Sequence, residues 1–212
     1  MPNYLHVVLI EVLTVSFILI PTFLGDFPFY FMLALLVIIT TIELMQALLQ
    51  SKNLILYPLV FIYPWAFVIS LLFIYQLNNG PLYIFFLFFI VELNDSVAYV
   101  AGKFYGHKKI FPKLSPHKTY IGLYSGVAAS LLLSFILGLA LFNVALFNLL
   151  LIIVVALCSG IVGDMFTSFI KRSAGIKDFS NIIPTQGGIL DAYDAFIFSA
   201  PFYYIAIKEL VI

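Results

Sequence analysis

The chain has 212 residues, of which 64% are hydrophobic and only 9% are charged, and its mean hydropathy is +1.15. This composition excludes an ordinary soluble domain, in which about 25% of the residues are charged. It predicts an all-α, polytopic integral membrane protein built as a helical bundle. The formal net charge of zero says little about partners; we expect membrane lipids around the chain and no nucleic acid.

Seven apolar segments each approach the ~20 residues that a helix needs to cross a bilayer. Polar residues and turn formers separate them. The predicted spans are 4–24, 28–49, 54–77, 81–101, 122–142, 145–170 and 189–207. We treat the chain as one membrane domain with N-terminal helices in 1–80 and a C-terminal region in 81–212, whose polar loops are 102–121 and 171–188. No basic stretch precedes the first span and no clear cleavage site follows it, so we expect it to be retained.

The basic residues predict the orientation of these spans. With seven spans, nine of the ten Lys and Arg residues share a side with the N-terminus, and Lys208 lies on the other side. The positive-inside rule then places the N-terminus and both polar loops in the cytoplasm. We expect a prokaryotic cell (inner) membrane. The nine residues are Lys52, Lys103, Lys108, Lys109, Lys113, Lys118, Lys171, Arg172 and Lys177.

Some polar residues fall inside the spans, where they are costly and face the bundle or water. For Glu11 and Glu43 we expect a structural or interfacial role. A polar face near the cytoplasmic end of the fourth span favours a functional site; it comprises Glu92, Asp95, Ser96 and Tyr99. Cys158 excludes a cysteine-based zinc cluster, and we expect it to be a small buried hydrophobe.

The loop at 102–121 contains the run Ser115-Pro116-His117-Lys118-Thr119. One interpretation is a basic cytoplasmic loop that is attracted to anionic headgroups. The other is a phosphate site, because a lysine and hydroxyl groups suit phosphate oxygens. For the histidines we favour solvated or hydrogen-bonded side chains over ligands.

The stretch 163–194 is rich in charge for this chain, since seven of its 32 residues are Asp, Lys or Arg. If the sixth helix continues through Arg172, then Asp164, Ser168 and Lys171 lie with Arg172 along one face. A carboxylate, a hydroxyl and a cationic pair fit a metal ion with phosphates beside it. Asp191 and Asp194 lie one turn apart at the start of the seventh span, where a helix N-terminus favours carboxylates. The alternative is an ordinary connecting loop with capping aspartates.

At these residues the chain resembles the phosphatidate cytidylyltransferase (CDP-diacylglycerol synthase) family. The family pattern is S-x-x-K-R, four residues, K-D, and a loop to P-x-H-G-G-x-x-D-R-x-D. The residues in register are Ser168, Lys171, Arg172, Lys177, Asp178, Pro184, Gly187, Gly188, Asp191 and Asp194, with Gly163 and Asp164 upstream. An earlier block matches at Asn94, Asp95, Ala98, Tyr99, Gly102, Gly106, Ser115, Pro116, Lys118, Thr119 and Gly122. Three positions depart from the pattern: Gln186 replaces His, Ala192 replaces Arg and Ile121 replaces Glu.

The resemblance implies transfer of CMP from CTP to phosphatidate, giving CDP-diacylglycerol and pyrophosphate, with Mg²⁺ or another divalent cation. Two polyanions must meet, which calls for metal, cationic clamps and positioning. We assign catalytic roles to Lys171, Arg172, Lys177 and Asp191. Substrate-binding roles go to Asp95, Ser115, Lys118, Ser168, Gly187 and Gly188, and metal binding to Asp164, Asp191 and Asp194. A homodimer is a further expectation from the family.

Three alternatives stay open. Related enzymes use CTP on ether lipids or polyprenols. The chain could also be a degenerate, non-catalytic lipid-binding member, since Gln186 cannot carry charge and Ala192 removes a phosphate clamp. A small transporter is disfavoured because the polar groups cluster at one membrane face and not at mid-depth.

Overall fold

The computed structural model describes residues 4–51, 58–112 and 114–211, and these residues are mainly helical. Lys52, Lys113 and the beginning of the span predicted at 54–77 lie outside them. The helices, in chain order, are α1 (Tyr4–Leu24), α2 (Asp26–Gln50), α3 (Leu59–Tyr75), α4 (Gly80–Tyr105), α5 (Tyr120–Leu141), α6 (Leu146–Ser173) and α7 (Ile189–Leu210). The sixth helix continues beyond Arg172, which meets the condition on which the shared face of Asp164 and Lys171 depends.

Within the described ranges, four helices are long and apolar enough to cross a membrane by length and composition, namely α2, α4, α5 and α6. Two shorter apolar helical segments accompany them, Val8–Leu24 and Ile62–Tyr75. Large apolar side chains stay exposed on the outer faces of the bundle, as with Phe27 and Phe147. Lipid can cover such surfaces without cost, so the fold is that of an integral membrane protein.

A short antiparallel hairpin between α4 and α5 departs from the all-α prediction. Strand β1 (Lys109–Phe111) pairs with β2 (Ser115–Thr119), with Lys109 opposite Thr119. The hairpin leads directly into α5, because the Thr119 hydroxyl accepts a hydrogen bond from Gly122 N at 3.1 Å and caps the helix. The polar segment that we expected to be a loop therefore holds Lys118 on a strand.

Close packing of α6 on α7 brings the charged ends of these helices together. A Cβ added at Gly163 would lie 2.4 Å from Phe198 Cβ, so only glycine allows the two backbones to approach this closely. On the other side of the bundle, Ser130 Oγ of α5 donates to Ile90 O of α4 at 3.1 Å. These contacts place the ends of α4, α6 and α7 and the strand β2 around one space.

The expectation for Cys158 was wrong, because its side chain is exposed on the outer face of α6. Val154 and Val162, one turn before and after it, are exposed on the same face. A small apolar side chain needs no protein core when the surrounding medium is lipid.

Candidate active site

A cavity of about 350 Å³ opens where α4, β2, α6 and the start of α7 meet. It brings together side chains that are up to a hundred residues apart in the sequence. Seven of the predicted site residues line it: Asp95, Ser115, Lys118, Asp164, Lys171, Asp191 and Asp194. The cavity therefore combines carboxylates and ammonium groups in one partly enclosed space.

Asp191 is held on the α7 side of the cavity by three donors. Lys171 Nζ lies 2.6 Å from Asp191 Oδ1, and the two side chains are 12% and 3% exposed. Asp191 Oδ2 accepts hydrogen bonds from Phe179 N at 2.7 Å and from Gly188 N at 2.8 Å. The carboxylate is thus fixed by backbone groups as well as by the lysine.

Asp164 is held on the hairpin side by side chains. Lys118 Nζ donates to Asp164 Oδ2, and Ser168 Oγ lies 3.4 Å from Asp164 Oδ1. Burial lowers the pKa of Lys118, but the charge and hydrogen bond of Asp164 raise it by more, with Asp95 contributing, so that the pKa lies above its usual value. Lys118 therefore carries a full positive charge at neutral pH.

Three further aspartates line the cavity, namely Asp95, Asp178 and Asp194. Asp194 is 7% exposed, and its carboxylate accepts hydrogen bonds from the Thr167 hydroxyl and from Ala195 N. Asp95 Oδ1 accepts a hydrogen bond from Asn94 Nδ2 at 3.0 Å. Five aspartates thus share the cavity with two lysines, and their carboxyl oxygens are ligands that suit a hard divalent cation.

The chain that forms this cavity is similar in sequence to known proteins over most of its length. The cytidylyltransferase family matches residues 2–210. The chain belongs to this family. It is 40% identical over 144 residues to a phosphatidate cytidylyltransferase of Aquifex aeolicus, covering 68% of this chain and 53% of that protein. A phosphatidate cytidylyltransferase of Staphylococcus saprophyticus is 36% identical over 144 residues, covering 67% of this chain and 55% of that protein. One of Bacillus subtilis is 40% identical over 126 residues, covering 59% of this chain and 47% of that protein.

The resemblance inferred from the sequence is therefore confirmed at the level of the family. The chain spans about half the length of the curated relatives it matches.

The metal ligands predicted for this chain, Asp164, Asp191 and Asp194, are not grouped as a metal site among the described residues. In the described part of the chain, no three Asp, Glu, His or Cys side chains are grouped closely enough to hold a metal ion. Asp164 and Asp191 each pair with a lysine. The donor type nevertheless fits a hard divalent cation, because both carboxylates line the same cavity as Asp194.

Several predicted site residues lie outside the cavity lining. Arg172 bridges the hairpin and the following loop, since its Nε donates to Leu114 O at 3.2 Å and its Nη1 to Ile176 O at 2.8 Å. Lys177 is 79% exposed, and its Nζ lies 3.7 Å from Asp178 Oδ2. Ser168 contacts Asp164 and not the cavity surface. Gly187 and Gly188 form the turn that leads into α7.

The polar face predicted on α4 divides between two environments. Asp95 and Tyr99 line the cavity. Glu92 and Ser96 instead line an apolar groove against α1, beside Val15. The two pairs differ because residues one position apart are rotated by about 100° around a helix.

Sequence reasoning missed one contributor to the site, Thr167, and did not predict the contact made by Gln186. Thr167, which binds Asp194, is fully buried, and its position three residues after Asp164 was the available signal. Gln186 lines the cavity, and its Nε2 donates to Glu11 Oε1 of α1 at 2.9 Å. The residue that replaces the family histidine is therefore held in place by a carboxylate from the N-terminal region.

Proposed function

We propose that this cytidylyltransferase-family chain transfers CMP from CTP to phosphatidate, giving CDP-diacylglycerol and pyrophosphate for phospholipid biosynthesis. The observation that carries the proposal is the convergence of Lys118 and Lys171 with five aspartates in one cavity. Two lysines can bind the phosphates of two polyanionic substrates, and the acidic groups suit an accompanying cation. The names of the relatives support the choice of reaction.

In this reaction an oxygen of the lipid phosphate attacks the α-phosphorus of CTP. A new P–O–P bond forms, the bond between the α-phosphorus and its bridging oxygen breaks, and pyrophosphate leaves with the electron pair. The nucleophile is already anionic, so no strong base is required. The main obstacle is electrostatic, and catalysis depends on positioning and on stabilising the charge of the leaving group.

The positions of the basic residues indicate a division of roles. Lys171, at the deep α7 side, binds the triphosphate, and Lys118 with Ser115, on the hairpin, binds the other phosphate group. Arg172 and Lys177 act from the rim, since neither lines the cavity. Gly187 and Gly188, which lie outside the cavity lining, support the site by leaving room for the side chains of Asp191 and Glu43 before α7.

Mg²⁺ or another divalent cation is part of the proposal. Asp164 and Asp191 would hold it, with Asp194 as the next ligand. When bound, the cation would neutralise phosphate charge and stabilise the leaving pyrophosphate. Binding can be followed without catalysis by isothermal titration of Mg²⁺ into wild-type protein and into Asp164→Asn.

The membrane arrangement is also proposed. Seven spans in a prokaryotic inner membrane would place the N-terminus and the cavity in the cytoplasm, where CTP is present. The lysines of the hairpin support this side, because the positive-inside rule assigns them to the cytoplasm. Phosphatidate would enter laterally from the bilayer. A homodimer is carried over from the family resemblance.

The test is pyrophosphate release by purified protein in detergent with CTP, Mg²⁺ and phosphatidate, each omitted in turn. Release that requires all three is the expected result. Pyrophosphate release that appears only when an ether-lipid phosphate replaces phosphatidate would transfer the proposal to that acceptor. Formation of CDP in place of pyrophosphate, with a polyprenol as acceptor, would indicate phosphorylation of the polyprenol instead. The absence of both pyrophosphate release and CTP binding would contradict an enzymatic role. That result would favour a non-catalytic lipid-binding protein.

A further inference from the structure

Glu43 of α2 is a buried carboxylate that contacts the beginning of α7. Its side chain is 1% exposed. Oε1 accepts hydrogen bonds from Ile189 N at 2.9 Å and from Ser180 Oγ at 2.6 Å, and Oε2 accepts one from Leu190 N at 2.7 Å. All three donors lie in the loop before α7 or in its first turn.

These hydrogen bonds stabilise both the buried carboxylate of Glu43 and the N-terminus of α7. A buried carboxylate is costly unless it is paired or hydrogen-bonded, and among the described residues Glu43 has no Lys, Arg or His ion-pair partner. The first backbone N–H groups of a helix lack intrahelical partners and carry partial positive charge. Gly188 precedes α7 and has no side chain to cap it. Glu43 therefore supplies the cap from a different helix.

The contact is close enough to constrain the backbone. A Cβ added at Gly188 would lie 2.5 Å from Glu43 Oε1, a distance that side chains do not tolerate. Gly188 N in turn donates to Asp191 Oδ2 at 2.8 Å. Glu43, the first turn of α7 and Asp191 thus form one continuous set of contacts that ends in the cavity.

We propose that Glu43 is a positioning residue for the reaction. It fixes the first turn of α7, so that Asp191 faces Lys171 and the cavity at a constant distance. Glu43 is absent from the cavity lining given by the described residues, so it acts through Asp191 and not on a substrate. The inference rests on the proposed function for its effect on rate, whereas the ordering of α7 can be measured independently.

Glu43→Gln is the test variant, because it keeps the shape of the side chain. In the wild type, backbone N–H groups donate to both carboxylate oxygens. In the variant, at least one of these N–H groups would face the amide N–H₂, which cannot accept a hydrogen bond. Thr40→Val is the matched control. Thr40 is also fully buried on α2, one turn earlier, and its hydroxyl bonds only to α2 carbonyls of Leu36 and Val37.

Two readouts separate positioning from a general loss of packing. Amide hydrogen exchange, measured on peptides that cover 179–192, should rise in Glu43→Gln at Ile189 and Leu190 and stay at the wild-type level in Thr40→Val. In the pyrophosphate assay, Glu43→Gln should lower kcat by about 10- to 100-fold, as loss of supporting contacts around a reactive centre typically does. The KM for CTP should change little, because Lys171, to which the triphosphate is assigned, is retained.

Wild-type exchange at Ile189 and Leu190 in Glu43→Gln would overturn the inference. Raised exchange with a wild-type kcat would overturn it as well. If Glu43→Gln does not fold, Ser180→Ala removes one of the three hydrogen bonds and should raise exchange at the same amides to a smaller extent; unchanged exchange there would also contradict the inference. Wild-type protein that releases no pyrophosphate would overturn the proposed function alone, and the exchange comparison would still decide whether Glu43 orders α7.

Discussion

The two sides of the cavity hold their carboxylates in different ways. On the α7 side, Asp191 is 3% exposed and is bound by two backbone N–H groups as well as by Lys171. On the hairpin side, Asp164 is 22% exposed, and its carboxylate accepts hydrogen bonds from the side chains of Lys118 and Ser168. Backbone donors cannot rotate away, whereas a lysine can. The cavity thus has one rigid side and one adjustable side.

The local sequence accounts for the difference. The rigid side is built on the N-terminus of a long helix, where several N–H groups point in one direction. The adjustable side carries its lysine on a hairpin whose first strand has only three residues. A change of rotamer is enough to move Lys118 Nζ from Asp164 to a phosphate. We therefore expect the hairpin side to rearrange when substrates bind.

The largest effect is expected for Asp191→Asn. The substitution leaves the ammonium of Lys171 nearly buried without its carboxylate and can place an amide N–H₂ opposite backbone donors. We expect a loss of about 3 kcal/mol in the free energy of unfolding, as for a broken buried ion pair. We also expect kcat to fall by about 10²- to 10³-fold, as for loss of an electrostatic contact to the reacting groups. Denaturant unfolding in detergent and pyrophosphate release measure the two effects.

Asp164→Asn is the matched variant on the adjustable side. Its activity should fall similarly, but its free energy of unfolding should decrease by only about 1 kcal/mol, because a partly exposed ion pair contributes little to stability. Equal losses of stability in the two variants would contradict the distinction between a rigid and an adjustable side.

Lys118→Met should have the next largest effect. Methionine keeps the apolar stem and removes the charge, so stability should stay close to that of the wild type. The ratio kcat/KM for phosphatidate should fall by about 10²-fold, because the lipid phosphate loses its cation. Lys108→Met is the control from the same region; Lys108 lies over the ring of Tyr120 at 5.5 Å and is absent from the described cavity lining. Comparable losses in both variants would indicate a general electrostatic effect.

The helices could be predicted from the sequence, but the hairpin could not. Long apolar runs determine where α2, α4, α5 and α6 lie. The continuation of α6 to Ser173, beyond the span predicted at 145–170, was only a condition for the shared polar face, and the structure meets it. Strands β1 and β2 are too short to show an alternation of polar and apolar residues, and Pro116 within β2 argued against a strand. Their pairing depends on the turn between them and on the cap at Thr119.

The candidate site was predictable as a set of residues but not as a set of contacts. The spacing of Asp164 and Lys171 on one helix suggested that they work together, whereas each pairs with a different element: Asp164 with the hairpin and Lys171 with α7. The contacts that the N-terminal helices make with the site could not be predicted from the sequence either. Glu43 lies 146 residues from Ile189, and no local pattern indicates which buried carboxylate reaches which helix end.

The smallest effect is expected for Lys177→Ala. The side chain of Lys177 is 79% exposed at the rim, so water and salt screen its charge. It can attract CTP towards the cavity without touching the reacting groups. We expect the KM for CTP to rise by about threefold or less at low ionic strength, with kcat and stability unchanged. The difference should disappear at about 0.5 M salt, where the Debye length is only a few ångströms. A large loss of kcat that persists at high salt would instead show that the loop carrying Lys177 closes over the phosphates, and the rim would then belong to the adjustable side of the cavity.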